Sequence, residues 1–337
     1  MKHRIIPVFV PELACPNQCI YCNQRIISGQ LQIPTDEEII SVIERNLSTF
    51  TDNTFVELGF FGGNFTGIEI EEQQRLFSLI KPYRDRGVIK EVRLSTRPDY
   101  INREIIDFLV ENGVNTVELG VQSLDEEVLS IVQRGYTSSQ VYDAARLIRQ
   151  AGIKLGMQMM VGLPGDTPEK SLMTAEKIVE WGAENTRIYP TLVIQNTELA
   201  SWYKTGKYKP LLLEDALHWV KPILYLFETR GVSVLRVGLH PTEGFIDGKD
   251  YMAGPFHVSF KELVQTLIWN DLFDKDKDGM FVDKVRGLAV VVEVPAKQIN
   301  AAIGHYAKNK EFILNKYGVK PKFVSNSSLP IYTFSVQ

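Results

Sequence analysis

The chain has 337 residues, of which 44% are hydrophobic and 23% charged, and its formal net charge is −4. This length suits one large domain with a smaller one, and the overall charge does not by itself indicate a nucleic-acid-binding protein. No apolar run approaches the length of a membrane-spanning helix, and the N-terminus lacks a signal-peptide pattern. We therefore expect a cytoplasmic protein with no membrane partner.

Short apolar runs alternate with helical patterns along the first two hundred or so residues. The strand candidates are Arg4–Val10, Thr54–Phe61, Glu91–Ser95, Thr116–Val121, Lys154–Val161 and Thr186–Val193. The helix candidates between them are Asp36–Phe50, Glu69–Arg84, Arg103–Asn112, Ser138–Ala151 and Pro168–Trp181. Helix start and stop signals support these bounds, such as Thr35 before an acidic first turn and Gly113 after a last turn.

Regular alternation of strands and helices predicts an α/β fold with a parallel sheet and right-handed crossovers. Six such units predict a partial TIM-type (βα)6 barrel, whose functional groups lie at the carboxyl ends of the strands. The last segment has the pattern strand, helix, helix, strand, strand, which predicts a small C-terminal α/β domain. The predicted divisions are a core barrel over 1–240, a connecting helical segment over 241–283 and the small domain over 284–337.

All three cysteines, Cys15, Cys19 and Cys22, lie in one C-x3-C-x2-C segment just after the first predicted strand. Three thiolates on one loop can hold three corners of a cubane [4Fe-4S] cluster, and the fourth iron would stay open because the chain has no further cysteine. Disulfides fit poorly, since the number is odd and the spacing tight. Structural zinc is an alternative, but it needs four ligands, and the nearest histidine, His3, lies in the predicted strand.

The cysteine spacing, with Tyr21 directly before the last cysteine, resembles the signature of radical S-adenosylmethionine (SAM) enzymes. The resemblance implies that the open iron binds SAM and that an electron from the cluster cleaves it. The resulting 5′-deoxyadenosyl radical then takes a hydrogen atom from a substrate. A reductant such as flavodoxin or ferredoxin is the partner that this chemistry implies.

Residues that follow the later strands extend the resemblance. The Gly62-Gly63 pair would let the backbone approach the methionine ammonium of SAM, and Arg134 falls where relatives place an arginine near its carboxylate. Asn64 and Ser95 stand where related enzymes often have acidic residues. The whole set that the resemblance assigns to the cofactor is Tyr21, Gly62, Gly63, Asn64, Ser95, Arg97, Gln122, Arg134, Gln158, Met160, Gly162 and Leu163.

Three blocks, at residues 62–66, 96–100 and 187–197, resemble the radical domain of the Elongator catalytic subunit and its bacterial and archaeal relatives. Proteins like oxygen-independent coproporphyrinogen III oxidase resemble the chain less, because they commonly have a further cysteine where this chain has Gln24. Elongator-type enzymes carry a C-terminal acetyltransferase domain. About sixty residues follow Phe273, too few for such a domain, so we expect the radical half without the acetyltransferase half.

These features predict a radical SAM enzyme that acts on RNA through tRNA modification. The segment 284–337 supports RNA, because it carries eight lysine and arginine residues against two glutamates. A small-molecule or tetrapyrrole substrate, or a non-catalytic protein that handles a cluster or haem, remain the alternatives. Arg187 and Tyr189 share one face of strand six and are the predicted catalytic residues. Gln195, Arg236 and His240 are further candidates for the substrate side of the barrel mouth.

Overall fold

The computed structural model describes residues 2–10, 19–23, 26, 32–51, 53–239, 243–276, 279–282 and 284–337. Its strands are β1 (Lys2–Val10), β2 (Thr54–Gly62), β3 (Glu91–Thr96), β4 (Thr116–Gln122), β5 (Lys154–Val161), β6 (Asn185–Pro190), β7 (Val193–Ile194), β8 (Ser233–Val237), β9 (Tyr251–Ala253), β10 (Ala289–Val294), β11 (Lys320–Ser325) and β12 (Ser335–Val336). Its α-helices are α1 (Asp36–Leu47), α2 (Ile70–Asp85), α3 (Arg103–Glu111), α4 (Glu126–Ile131), α5 (Ser138–Gln150), α6 (Pro168–Glu180), α7 (Glu198–Lys204), α8 (Leu213–Thr229), α9 (Glu243–Ile246), α10 (Phe260–Lys275), α11 (Ile299–Ile303) and α12 (Lys308–Tyr317).

The main sheet has seven parallel strands in the order β1-β2-β3-β4-β5-β6-β8. Because the strands follow chain order, the connecting helices run in one direction around the sheet, as in a TIM-type barrel that is left open. Arg187 on β6 donates to Glu118 on β4 at 2.7 Å although β5 lies between them. The sheet is therefore curled, with these side chains on its concave face. The predicted partial barrel is confirmed, and β8 adds a seventh strand.

The predicted sixth strand is divided in two. Regular pairing with β5 ends at Pro190. The backbone N–H and the hydroxyl of Thr191 both donate to the carbonyl of Val161 at the end of β5, at 3.0 and 2.8 Å. After this turn the chain leaves the barrel wall and forms β7, which pairs antiparallel with β9. A two-stranded ribbon therefore lies at the rim of the barrel.

The helices begin at the capping residues that the sequence indicates. The Thr35 hydroxyl accepts from the backbone of Glu38, whose carboxylate accepts from the backbone of Thr35, so α1 has a complete capping box. Thr137 and Thr167 cap α5 and α6 in the same positions. Helix α4 was not predicted; Asp125 caps it by accepting from the N–H of Val128 at 3.0 Å.

The C-terminal segment forms a three-stranded sheet in which β10 pairs parallel with β11 and antiparallel with β12. The helix predicted for Ala296–Tyr306 ends at Ile303, where Gly304 has a φ of +84°. Val290 and Val292 of this sheet share one apolar cluster with the barrel core. The division into 1–240, 241–283 and 284–337 stays a prediction. Of the described helices, none combines the length and hydropathy of a membrane span.

The concave face of the barrel carries a buried network of charges. Glu118, 1% exposed, accepts from Arg93 at 2.6 Å and from Arg187 at 2.7 Å. Arg93 also donates to Glu57 at 2.7 Å, so two carboxylates offset two guanidinium groups. Burial by itself raises the pKa of Glu118, but Arg187 and Arg93 outweigh it and hold the pKa below its usual value. The acid therefore stays ionised in the interior.

We expect Glu118→Ala to lower the free energy of unfolding by about 3 to 5 kcal/mol, because it leaves two buried guanidinium groups without their shared partner. Denaturant unfolding at pH 7 measures this loss. Glu91→Ala is the matched control on the same sheet: its partner Lys154 lies 2.7 Å away but is 45% exposed, so the loss should be about 1 kcal/mol or less. Equal losses in the two variants would contradict the network.

A second buried acid closes the turn between β5 and α6. Asp166 accepts from the backbone of Gly162 at 2.9 Å, from the backbone of Thr167 at 2.9 Å and from the Ser171 hydroxyl at 2.7 Å. Burial raises the pKa of Asp166 to about 6, although these bonds and the nearby Lys170 act in the opposite direction. The carboxyl group therefore titrates near neutral pH in the folded protein.

Because the pKa of Asp166 is higher in the folded than in the unfolded chain, its contribution to stability is present at low pH and is lost as the pH rises through 6. Between pH 7.5 and pH 5 the free energy of unfolding of the native chain should therefore rise by roughly 1 kcal/mol relative to Asp166→Asn. Asp107→Asn, on an exposed turn of α3, is the control and should give no such rise. If the difference in free energy of unfolding between the native chain and Asp166→Asn did not change with pH, the effect ascribed to burial of this carboxyl group would be contradicted.

Candidate functional site

The carboxyl ends of the parallel strands meet at one rim, and the cysteine segment follows β1 at this rim. Cys19 is buried, and Cys22 is partly buried. The N–H of Cys22 donates to the carbonyl of Cys19 at 3.0 Å, so both thiols come from one tight turn. The third predicted ligand, Cys15, lies outside the described residues. Within the described residues no group of three or more metal-ligating side chains is present.

Two buried guanidinium groups point at the Cys19 thiol. Arg134 Nη1 lies 3.2 Å from Cys19 Sγ, and Arg97 Nη1 lies 4.0 Å from the same atom. Two cationic side chains therefore lie beside one of the predicted cluster ligands. The sequence places these arginines after β3 and α4, so only the fold brings them to the cysteine turn.

The two arginines differ in how their charge is balanced. Arg97 forms a two-pronged pair with Asp99, at 3.0 and 2.9 Å. Arg134 donates instead to the carbonyl of Gly120 at 2.6 Å and to the hydroxyls of Tyr136 and Tyr21 at 2.8 and 3.1 Å. Among the described residues no carboxylate lies within ion-pair distance of Arg134. A buried cation with only neutral partners and a thiol indicates that an anion completes this site.

Burial raises the pKa of Tyr21 well above its ordinary value, so the phenol stays neutral. Burial alone lowers the pKa of Arg134, but Tyr136, Tyr21 and Cys19 more than reverse this effect, so the guanidinium stays charged. The Arg134 guanidinium also lies over the ring of Tyr136, with its Cζ 4.8 Å from the ring centre. Tyr136 was not identified from the sequence. Its position two residues after Arg134 was the only signal available.

The glycine pair at the end of β2 packs closely against the end of β1. Gly62 has a φ of +115°, and a Cβ there would lie 2.2 Å from the carbonyl oxygen of Val10. The N–H of Gly63 donates to the same oxygen at 3.0 Å. Only glycine permits this approach between the ends of β1 and β2. The predicted contact of the pair with a ligand stays a prediction.

Asn64 connects two neighbouring loops of the rim. Its Oδ1 accepts from the Thr96 hydroxyl at 2.6 Å and from the backbone of Arg97 at 3.1 Å. Thr96 also exchanges a 2.6 Å hydrogen bond with Thr66. The carboxamide therefore holds the end of β3 in place and helps to position the Arg97 side chain beside Cys19.

Gln122 carries the clearest sign of a missing ligand. It lies at the carboxyl end of β4 with a φ of +65°, and the pairing register with β5 shifts here. Its Oε1 is buried and has no hydrogen-bond partner among the described residues. Left-handed non-glycine residues and unpaired buried acceptors are both uncommon and are found most often at functional sites. A hydroxyl group of a ligand would satisfy this oxygen.

Ser95 and Gln158, which the resemblance assigns to the cofactor, bond to each other. Gln158 Nε2 donates to Ser95 Oγ at 3.2 Å and to Glu118 Oε2 at 2.7 Å. Both amide hydrogens are thus engaged inside the barrel, which leaves the carbonyl oxygen of Gln158 as the atom that can accept from a ligand. Glu118, which sequence reasoning did not single out, sets this orientation.

Arg187 and Tyr189, the predicted catalytic residues, both lie on β6 inside the barrel. Arg187 is bound to Glu118 and lies over the Phe61 ring at 5.2 Å. Tyr189 is two residues further along β6, and burial raises its pKa. Gln195 lies on the rim ribbon, Arg236 lies on β8, and His240 lies outside the described residues. The catalytic roles stay predictions.

An apolar wall completes the rim. Met160 and Leu163 pack in one cluster with Cys19 and Tyr21. Gly162, with a φ of +75°, accepts at its carbonyl from the Tyr208 hydroxyl at 2.6 Å. Tyr208 and Asp166 hold the two sides of this turn, and neither was predicted. Of the predicted cofactor residues, Arg97, Arg134, Met160 and Leu163 thus lie against the cysteine turn.

The family models match most of the chain. The radical SAM superfamily matches residues 12–178, and the radical SAM C-terminal domain matches residues 183–269. The chain is 29% identical over 244 residues to a tRNA uridine(34) acetyltransferase from Dehalococcoides mccartyi, which covers 61% of this chain and 52% of that protein. It therefore spans about half the length of this curated relative.

Two further similarities complete the comparison. The heme chaperone HemW from Lactococcus lactis is 26% identical over 195 residues, which covers 57% of this chain and 50% of that protein. The structure of Methanocaldococcus infernus Elp3 with an N-terminal deletion superposes with a TM-score of 0.64 at 23% identity, over 83% of this chain and 64% of that one. This structural likeness confirms the partial-barrel fold.

Members of the superfamily use a [4Fe-4S] cluster and SAM, which confirms the two cofactors that the sequence predicts. The described residues fit these groups: two thiols on one turn, a buried arginine without a carboxylate and an unpaired buried acceptor converge on one rim. The chain belongs to the radical SAM superfamily and resembles its Elongator-type members.

Proposed function

We propose that the chain is a radical SAM enzyme that modifies RNA, with tRNA as its substrate. The observation that carries the radical SAM assignment is the buried Arg134 guanidinium, bonded to Cys19 and to no described carboxylate. Cys15, Cys19 and Cys22 would hold the cluster. The bound cluster and SAM supply a one-electron cleavage that yields a radical able to abstract a hydrogen atom.

Different residues of the chain would contact different parts of SAM. Arg134 would bind the SAM carboxylate through charge-assisted hydrogen bonds, since its guanidinium lies beside the turn that carries Cys19. Gln122 Oε1 and the carbonyl of Gln158 would accept from ribose hydroxyls. Met160, Leu163 and the turn at Gly162 would exclude water from the adenine side.

The RNA assignment depends on similarity and on charge. The relative from Dehalococcoides mccartyi is named a tRNA uridine(34) acetyltransferase. The C-terminal segment 284–337 has a surplus of cations, and Lys320 and Lys322 lie exposed on the edge strand β11. Exposed lysines on an edge strand are available to phosphates of a bound polynucleotide.

Similarity to the heme chaperone HemW favours one second candidate, a protein that binds a tetrapyrrole or haem. The two candidate functions differ in the ligand that would bind at the barrel mouth. Haem binding gives a Soret absorption band that titrates with the protein, whereas RNA binding weakens steeply with added salt. These two measurements separate the candidates without requiring catalysis.

The substrate assignment predicts that tRNA stimulates SAM cleavage. Protein reconstituted anaerobically with iron and sulfide and reduced with dithionite should form 5′-deoxyadenosine faster with bulk tRNA than with duplex DNA of equal phosphate content. Cys22→Ala should form none, because it removes a cluster ligand. No tRNA binding at low salt together with no stimulation would reject RNA as the substrate.

We expect Arg134→Lys to weaken SAM binding by about tenfold or more, because a lysine ammonium cannot reproduce the fork of the guanidinium. Equilibrium dialysis with reconstituted protein measures the dissociation constant, and iron content serves as an internal control that should not change. Arg146→Lys, on the exposed surface of α5, is the matched control. Loss of iron together with SAM binding would instead assign Arg134 to support of the cluster.

A further inference from the structure

The loop between α11 and α12 holds an exposed tyrosine in a strained conformation. Tyr306 and Ala307 have φ values of +52° and +60°, and Gly304 has +84°. Consecutive non-glycine residues in the left-handed region are rare and persist only where the surrounding structure holds them there. The Tyr306 side chain is 86% exposed, so packing of its own ring does not explain the conformation.

Buried polar groups beneath the loop supply this restraint. Asn309 is fully buried, and its Nδ2 donates to the carbonyls of Ala302 and Thr266 at 3.1 and 3.2 Å. The Thr266 hydroxyl accepts from the backbone of His305 at 2.9 Å. A Cβ at Gly304 would lie 3.0 Å from Thr266 Cγ2. Helix α10 and Asn309 therefore fix the loop and present Tyr306 to solvent.

Two histidine rings pack beside this loop, and an aromatic cluster begins at the residue before the second of them. The His305 ring lies 4.3 Å from that of Tyr306 and 6.0 Å from that of His257. The residue before His257 is Phe256, whose ring packs 5.8 Å from Phe245. Phe245 belongs to the same small apolar cluster as Ile26, which follows the cysteine turn.

The charges around Tyr306 suit a polyanion. From Val294 to Lys310 the chain has three lysines and no acidic residue. Lys308 and Lys310 are exposed in the first turn of α12. The acidic neighbours are Glu311 and Glu262, and Glu262 acts on His257. Burial, followed by the effect of His305, lowers the pKa of His257, so this ring is neutral at pH 7.

We propose that Tyr306 is a stacking platform for an unpaired nucleobase of the RNA substrate, with Lys308 and Lys310 binding the adjacent phosphates. This inference rests on the proposed RNA function. A rigid exposed aromatic ring beside cations is the arrangement by which proteins bind single-stranded RNA, because every base has a face that can stack. The restraint by Thr266 and Asn309 lowers the entropy that binding would otherwise lose.

Fluorescence anisotropy with the full chain, bulk tRNA and a labelled uridine dodecamer tests the proposal at low salt. Tyr306→Ala should weaken binding by about tenfold to a hundredfold, the range for loss of one stacked base. Tyr306→Trp should bind as the native chain does. Tyr142→Ala, which removes an exposed tyrosine from α5, should have no effect.

Tyr306→Gly separates a binding role from a structural one. Glycine accepts a positive φ without strain, so this variant should have a higher Tm than the native chain and yet bind RNA as poorly as Tyr306→Ala. A lower Tm with unchanged RNA affinity would assign Tyr306 to the fold and overturn the proposal. Native protein that binds RNA while Tyr306→Ala binds it equally well would do the same and leave the proposed function standing. Native protein that binds no RNA would reject both.

Discussion

The contact between the Arg134 guanidinium and the Cys19 thiol is the interaction on which the site depends. Arg134 is buried, and it joins the cysteine turn, the end of β4 and two tyrosine hydroxyls. A charge in such surroundings is costly unless an anion offsets it. We proposed that the carboxylate of SAM is the anion that offsets Arg134, beside the cysteines that would hold the cluster.

The interior of the barrel also contains buried charges, and there the residues of the chain offset one another. TIM-type barrels usually fill this space with layers of branched apolar side chains. Here Glu118 instead joins Arg93, Arg187 and Gln158 in one compensated network. The network engages the amide group of Gln158 and holds Arg187 through its bonds to Glu118. The charges of this network offset one another, whereas Arg134 at the rim has no carboxylate partner among the described residues. This difference separates the residues that support the barrel from those that we expect to bind a ligand.

Much of the fold was predictable because the signals are local. Apolar runs located the strands, and Thr35, Thr137 and Thr167 began helices where their side chains could cap. The break after Pro190 was not predictable, since it depends on a hydrogen bond between Thr191 and Val161 on another strand. Strand periodicity continues through that point, so the sequence favours one long strand where the structure has two.

In the site, too, the local features were predictable and the contacts between distant residues were not. The cysteine spacing and the glycine pair are visible in the sequence because neighbouring residues form them. Glu118 appeared only as a polar residue in an apolar strand, and its three partners lie on three other strands. Asp166 and Tyr208 act from opposite sides of one turn, separated by more than forty residues in the chain. Such pairings are properties of the folded sheet, which a single sequence does not display.

The most direct test of the site is electron paramagnetic resonance of the anaerobically reconstituted, dithionite-reduced protein before and after addition of SAM. A cluster with an open iron at this site should give the signal of a reduced [4Fe-4S] cluster whose g values shift when SAM binds, and Cys19→Ala should lose that signal. A cluster signal that SAM leaves unchanged would contradict this assignment, as would a protein that retains zinc and takes up no iron.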